Sequence, residues 1–379
     1  MAQSGFESNI QTFVSASVVR GPSDWNWGAD ENVASAFLAV TEEMEVQSIL
    51  HSLLAGCGVR NGWPAKVLDG LKSANLARFA GFELRLKEIE KVLLSLQQRG
   101  VDCVVLKGLP FALKFYEYPH HRPSSDTDVL IEHSALPIVD EMMFELGYEE
   151  TPDMLYGTVS QQKQFFRTGK SGLEHVFDFH VELNNKPLLS PFSFDHFSNR
   201  SDVASLLGCQ IRIPKNPEAF VLAALHRLGH LAKDRRFLWS FDLVRLALRL
   251  DRDEWRTIIE LAEQFECRAL LGDEINRLAG MAEDLVPKDV LDWAERCRHD
   301  RSEISGYYLG AERTRRSDLF VGIRTLPSAM LRIQTLGLLL FPRAQFMRDF
   351  YGGGQGGWLP YLYARRFVGI ISKGIQEVR

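Results

Sequence analysis

The chain has 379 residues, 45% hydrophobic and 25% charged, an ordinary globular composition with length for two or three domains of about 150 residues each. Its longest apolar window, Leu336 to Phe341, is far short of the roughly 20 residues of a membrane-spanning helix. The formal net charge is −5, yet residues 301–379 carry 12 Lys/Arg against 5 Asp/Glu, a local +7 that leaves −12 for the rest. A basic region on an acidic body suits either an anionic partner or an internal interface.

The five cysteines, Cys57, Cys103, Cys209, Cys267 and Cys297, are scattered and form no C-x-x-C pair. That argues against a disulfide framework or a zinc ribbon and makes a reducing cytoplasm the expected location. The opening MAQSGFESNIQTF lacks the basic and apolar regions of a signal peptide.

In chain order, residues 1–30 mix Gly, Pro and Ser with Trp25 and Trp27 and are expected to form a loosely docked arm. Helical patterns run from Asn32 to Leu54 and from Ala74 to Gln98, the second stopped by Gly100. Val101 to Leu106 reads as a buried strand. It ends in Lys107-Gly108, and Pro110 opens a helical segment. A proline-rich turn leads to a second apolar strand, Asp126 to Ile131. Ser134 is expected to cap a helix that ends at Gly147, with a short strand from Tyr148.

The segment LEHVFDFHVEL, Leu173 to Leu183, alternates. Leu173, Phe177, Phe179, Val181 and Leu183 share one face, and Glu174, Asp178, His180 and Glu182 share the other. A half-buried strand with an acidic face is expected. After Pro214 the pattern becomes helical. Asn216-Pro217 starts a helix through His226 and His230, and another follows through Trp239, Asp242 and Leu246. Further helices are expected to the end, interrupted by Pro327, Pro342 and the run Gly352 to Gly357, which lacks the lysine and Ser/Thr of a phosphate loop.

The chemistry concentrates around Gly108 and the D-x-D pair. Residues i and i+2 of a strand face the same way, their Cα atoms roughly 6.6 Å apart. Asp126 and Asp128 can therefore share divalent cations. A glycine turn opening a helix can hold phosphates beside them, with no Cβ at Gly108 to block close approach. This arrangement resembles the active-site signature of the nucleotidyltransferase superfamily with a polymerase β-like palm.

The longer motif set resembles the bacterial uncharacterised nucleotidyltransferases known as NTP_transf_5. It comprises Leu106-Lys107-Gly108, a helix ending at Tyr116, Arg122, Asp126-Thr127-Asp128 and Phe177-Asp178-Phe179-His180. His226 and His230, Trp239-Ser240-Phe241-Asp242-Leu243, and Leu340-Phe341-Pro342 with Phe346 and Arg348 complete it. The resemblance covers about residues 30 to 370. It implies an α/β (α+β) fold, a small mixed-sheet palm at 100–213, with an N-terminal arm and helical region at 1–99 and a C-terminal helical region at 214–379.

It also implies a nucleotidyltransferase that moves a nucleoside monophosphate from a triphosphate, ATP being the first choice, to a hydroxyl or phosphate acceptor with release of pyrophosphate. Mg²⁺ or Mn²⁺ would be held by Asp126, Asp128 and Asp178. Asp178 would also act on the acceptor, with Glu174 and Glu182 as weaker candidates, and His180 would serve as a general base, contact phosphate or orient Asp178. Lys107, Gly108 and Arg122 would receive the triphosphate. The acceptor is an unidentified small molecule, peptide or protein, and no stable nucleic-acid partner is expected. Leu109 stands where the superfamily has Ser or Gly, so a serine hydroxyl for the phosphates is missing at the turn. That keeps open an inactive nucleotide-binding regulatory module; a metal-dependent phosphohydrolase using the same Asp/His face is a further alternative, weakened by the absence of H-D or H-x-H metal pairs at the typical spacing. For His226 and His230 packing or a substrate contact is favoured over zinc.

Overall fold

A computed structural model describes residues 2–28, 30–56, 62–158, 160–183, 193–206, 208–229, 236–282, 284–300, 302–310, 313–352 and 357–376. The N-terminus is not a loose arm. Helix α1 (Ala2–Arg20) buries Ile10, Val14 and Val18, spaced four apart on one face. The rings of Phe6 and Phe13 meet Trp27 edge-on at 5.6 and 5.8 Å, and Trp25 packs on Trp63 at 5.2 Å.

The helical pattern at Asn32 to Leu54 is two helices, α2 (Glu31–Glu43) and α3 (Gln47–Gly56), separated at Glu45 with φ 58°. Asp30 caps α2 by accepting from the Asn32 amide. Helix α4 (Ala65–Gln98) is longer than its pattern suggests, 34 residues or about 51 Å. Gly100, at φ +69°, allows the chain to turn at its end.

The sheet has seven strands: β1 (Cys103–Leu106), β2 (Asp126–Ile131), β3 (Glu149–Glu150), β4 (Gln162–Thr168), β5 (Glu174–His180), β6 (Ser201–Leu206) and β7 (Cys209–Pro214). Their order is β3-β4-β5-β2-β1-β7-β6. β2 runs antiparallel to β1 and parallel to β5, and β7 runs parallel to β1, which makes the sheet mixed. Helix α5 (Gly108–Phe115) connects β1 to β2, and α6 (Leu136–Glu145) follows β2. Ser134 is not its cap. It lies in a 3-10 turn, His133–Ala135, and Ala135 holds the cap position without a side-chain bond.

Alternation along the strands feeds two cores. Val105, Val129, Phe177 and Phe179 pack against Ile89, Val92, Leu93 and Leu96 of α4 and Val139 and Met143 of α6. On the opposite face Val104, Leu106 and Leu130 join Phe111 and Phe115 of α5 and the helices on either side of the sheet in sequence. The latter are α1 to α3, α7 (Phe194–Asn199), α8 (Asn216–Gly229), α9 (Leu238–Ala247), α10 (Arg252–Gln264), α11 (Arg268–Ala279) and α12 (Lys288–Cys297). N- and C-terminal helices thus share one apolar interior on the carboxylate-bearing side of the sheet.

The basic end of the chain forms α13 (Arg315–Thr325), α14 (Ala329–Leu340), α15 (Ala344–Tyr351) and α16 (Leu359–Gln376). Part of its charge is used internally: Arg313 pairs with Asp318, Arg332 donates to the Leu326 carbonyl and Arg366 to that of Leu339. Of the glycine run, residues 353–356 lie outside the described part. Among the described residues no helix is long and apolar enough to cross a membrane, and Cys103, Cys209, Cys267 and Cys297 are free thiols. Cys57 lies outside the described residues.

Candidate active site

β2 and β5 put four of the expected residues on one face. In the parallel register Asp128 pairs with Asp178 and Leu130 with His180, while Asp126 pairs with Val176. Adjacent strands lie about 4.8 Å apart, so Asp128 and Asp178 are side-by-side neighbours. Lys107 reaches the same place from the end of β1. Its Nζ stands 2.8 Å from Asp128 Oδ1, and the buried His180 Nε2 donates to that oxygen at 2.9 Å. Around Asp178 and His180 the acidic face of β5 is therefore closed to water: β5 is an interior strand, and both residues are buried. His180 Nδ1 has no hydrogen-bond partner among the described residues.

Burial alone would raise the Asp128 carboxyl, but the Lys107 ammonium and the His180 hydrogen bond outweigh it and hold the group well below the carboxylate range. Asp178 goes the other way. Burial, then the charge of Asp128, raise it to about 6 against the Gln164 Nε2 bond to its Oδ1 at 3.0 Å. For Lys107 burial acts downward, and Asp128 more than compensates.

The Gly108 turn is built differently from the sequence-based expectation. Lys107 has φ 52° and ψ −114°, an unusual conformation for a residue with a Cβ, and it delivers the chain into α5. A Cβ on Gly108 would lie 2.5 Å from Ser124 Oγ and 2.8 Å from Arg122 Nη1. A side chain at position 108 would therefore crowd Ser124 and Arg122 before any ligand approached. A hydroxyl does stand beside the turn, that of Ser124. Its Oγ donates to the Asp126 carbonyl at 2.8 Å and lies 3.3 Å from Asp126 Oδ1. Pattern reading passed over Ser124 because it lies in the turn ahead of β2.

Arg122 is paired within the fold. Its Nη2 and Nε donate to Asp242 Oδ2 at 2.9 and 3.2 Å, and Tyr116 Oη donates to Asp242 Oδ1 at 2.7 Å. Three separate elements of the motif set, the tyrosine ending α5, the arginine before the D-x-D and the aspartate of α9, are one buried cluster. It fastens the turn carrying Ser124 and Asp126 to the C-terminal helices. Burial and Asp242 both push the Tyr116 hydroxyl well above its usual range. Of the histidine pair, His226 meets the Trp239 ring edge-on at 4.8 Å, and His230 lies outside the described residues. Glu174 is exposed at the start of β5.

A cavity of about 390 Å³ opens beside this turn, lined by Gly108, Arg122, Ser124 and Asp126 and walled by α4, including Arg78 and Arg85. Arg85 was not foreseen either. Its Nη1 donates to the Ser125 carbonyl, and Asp126 and Glu174 act on its charge at longer range. Among the described residues no group of three or more His, Cys, Asp or Glu is arranged to hold a metal ion by itself. Magnesium commonly takes one or two carboxylates together with substrate phosphates, and Asp126 and Asp128 are oxygen donors of that kind.

The family model for uncharacterised nucleotidyltransferases, NTP_transf_5, matches residues 30–275, more than half of the chain. The chain belongs to this family. The match takes in β1, the Gly108 turn, the D-x-D strand, β5 and the Asp242 cluster, and it ends within α11. No curated protein matches the sequence. Among solved structures, the antibiotic-resistance factor ANT(2'')-Ia aligns at 10% identity and a TM-score of 0.35, over 48% of this chain and 93% of its own. An antigenic nucleotidyltransferase-like protein from Paracoccidioides brasiliensis aligns at 10% identity and 0.31, over 48% and 88%.

Proposed function

We propose that this family member is a metal-dependent nucleotidyltransferase acting on a nucleoside triphosphate, with ATP as the first substrate to try. The observation that carries this is the placement of Asp126 and Asp128 on β2 beside the Gly108 helix start, with Asp178 in register on the next strand. In the reaction an acceptor oxygen bonds to the α-phosphorus, the bond to the bridging oxygen breaks, and pyrophosphate leaves with that electron pair. A divalent ion held by Asp126 and Asp128 together with substrate phosphate oxygens would neutralise charge on the attacking and leaving oxygens.

The chain's own residues do the rest. The first amides of α5 have no partners within the helix and face an approaching phosphate. Ser124 takes the role of the serine missing at the turn. Lys107 stands where carboxylates and phosphates must meet and contributes its ammonium to the phosphate side. Asp178, on the neighbouring strand, approaches the acceptor and takes its proton, with His180 fixing the Asp128 carboxylate alongside. Arg122 acts by holding the Ser124–Asp126 turn against Asp242, in place of the direct phosphate contact expected from sequence. The acceptor is a hydroxyl or phosphate of a small molecule, peptide or protein, in the cytoplasm.

The test is ATP binding and turnover with and without metal. ATP with Mg²⁺ or Mn²⁺ is expected to stabilise the protein by about 2.7 kcal/mol at roughly 100 times its dissociation constant, and ATP with EDTA much less. Equal shifts in both would remove the metal site. Metal-dependent binding with no pyrophosphate release across a broad acceptor screen would favour the regulatory module.

A further inference from the structure

The cavity beside Gly108 has a wall that the α/β core does not provide. Arg78 and Arg85 of α4 both line it, seven residues apart, with Gly81 between them and Ala77 and Ala74 just ahead of Arg78. Two helical turns separate the arginines, about 10.5 Å along the axis, and Ala74, Ala77 and Gly81 on this side of α4 leave room for a ligand lying along the helix. The other cations around the turn are engaged. Lys107 is on Asp128, Arg122 on Asp242 and Lys114 on Asp202. Among the described residues, neither Arg78 nor Arg85 forms an ion pair. Arg85 is instead steered by the Ser125 carbonyl to a position next to Ser124 and Asp126.

A triphosphate in this cavity brings several negative charges up against Asp126, which lines it, with Asp128 and Asp178 further along the same sheet face. The Lys107 ammonium alone does not balance them, and it already faces Asp128. Guanidinium groups bind phosphate oxygens through two parallel N–H bonds, a geometry that an ammonium lacks. We propose that Arg78 and Arg85 bind the β- and γ-phosphates of the nucleoside triphosphate, so that the helix preceding the α/β core forms half of the nucleotide site. This rests on the nucleotidyltransferase assignment above.

The experiment measures binding of ATP with Mg²⁺, of inorganic tripolyphosphate and of AMP to the full chain by calorimetry. It compares wild type, Arg85→Ala, Arg85→Lys, Arg78→Ala and the double alanine variant, with melting curves alongside. Each alanine variant is expected to bind ATP and tripolyphosphate about tenfold more weakly or worse, the double variant more so, with AMP affinity and Tm near wild type. Arg85→Lys should fall between, keeping charge without the fork. If Arg85→Ala does not fold, Arg78→Ala and Arg85→Lys still decide the matter. Wild-type affinity of the folded variants for both ligands, while wild type binds ATP, would overturn the arginine assignment and leave the enzyme assignment standing. Failure of wild type to bind either polyphosphate would overturn both.

Discussion

Asp128 and Asp178 are register partners in parallel strands, equally buried, yet their carboxyl groups are shifted in opposite directions. Asp128 is held ionised by Lys107 and His180, whereas Asp178 has only the Gln164 amide and feels the negative charge of its neighbour. Two carboxyl groups side by side do not ionise equally easily. One is a fixed anion of the fold, and the other remains responsive to what enters the site.

That asymmetry separates the two D-x-D aspartates in stability. Both Asp126→Asn and Asp128→Asn are expected to abolish nucleotidyl transfer. Asp126 is half-exposed, and its variant should change stability by less than about 1 kcal/mol. Asp128→Asn strips the counter-charge from a largely buried lysine and should cost about 3–5 kcal/mol. Urea unfolding of the two proteins tests this, and equal stabilities would show that the Lys107 pair contributes nothing.

Gly108→Ala should destabilise by about 1–3 kcal/mol, because the added methyl meets Ser124 Oγ at 2.5 Å. Ser124→Ala removes that oxygen and should recover part of the loss, leaving the contact with Arg122. A double-mutant cycle on Tm or urea midpoint measures the coupling, and strictly additive effects would rule out the contact.

Asp242→Ala removes the acceptor of both Arg122 and Tyr116, at an expected cost of about 3–5 kcal/mol. Tyr116→Phe loses one bond to a charged group and should cost about 1.5–3 kcal/mol. Proteolysis should cut first in the Pro119–Ser125 turn of the destabilised proteins, since Asp242 is what ties that turn down. Unchanged cleavage kinetics there would contradict the tether.

His121 sets a pH limit. Burial first, then His120, His51 and Arg245, push its imidazole from the ordinary 6.5 to about 4. Between those values the unfolded chain takes up a proton that the folded protein refuses, so this contribution to stability is complete above pH 6.5 and is lost as pH falls toward 4. Melting temperatures of wild type should drop across that window more steeply than those of His121→Gln.

The D-x-D strand was legible to the residue, because its apolar run and bounding turn are both local. β4, with the sequence QKQFFRT, was not, since only Phe165 is fully buried and its partners lie on β3 and β5. β6 and β7 pair antiparallel, with Leu206 opposite Cys209, and nothing in their mixed composition marks them. The polar face of β5 was legible as polar but not as buried, because its covering strands are chosen by tertiary pairing. Ion pairs such as Lys107 with Asp128, or Arg122 with Asp242, join residues 21 and 120 positions apart. The Ile10–Val14–Val18 spacing was readable and would have identified α1.

The length of α4 has a mechanical consequence. Its first turns sit in one hydrophobic core through Val67 and Leu71, and its last turns roof the sheet through Ile89, Val92, Leu93 and Leu96. A fragment that began at Gly100 would leave that sheet face bare to water and prone to self-association. Because both interiors grip one rigid rod, heat should melt them in a single transition. Any tilt of the rod imposed at the cavity would reach the N-terminal bundle as a lever does, without a hinge between.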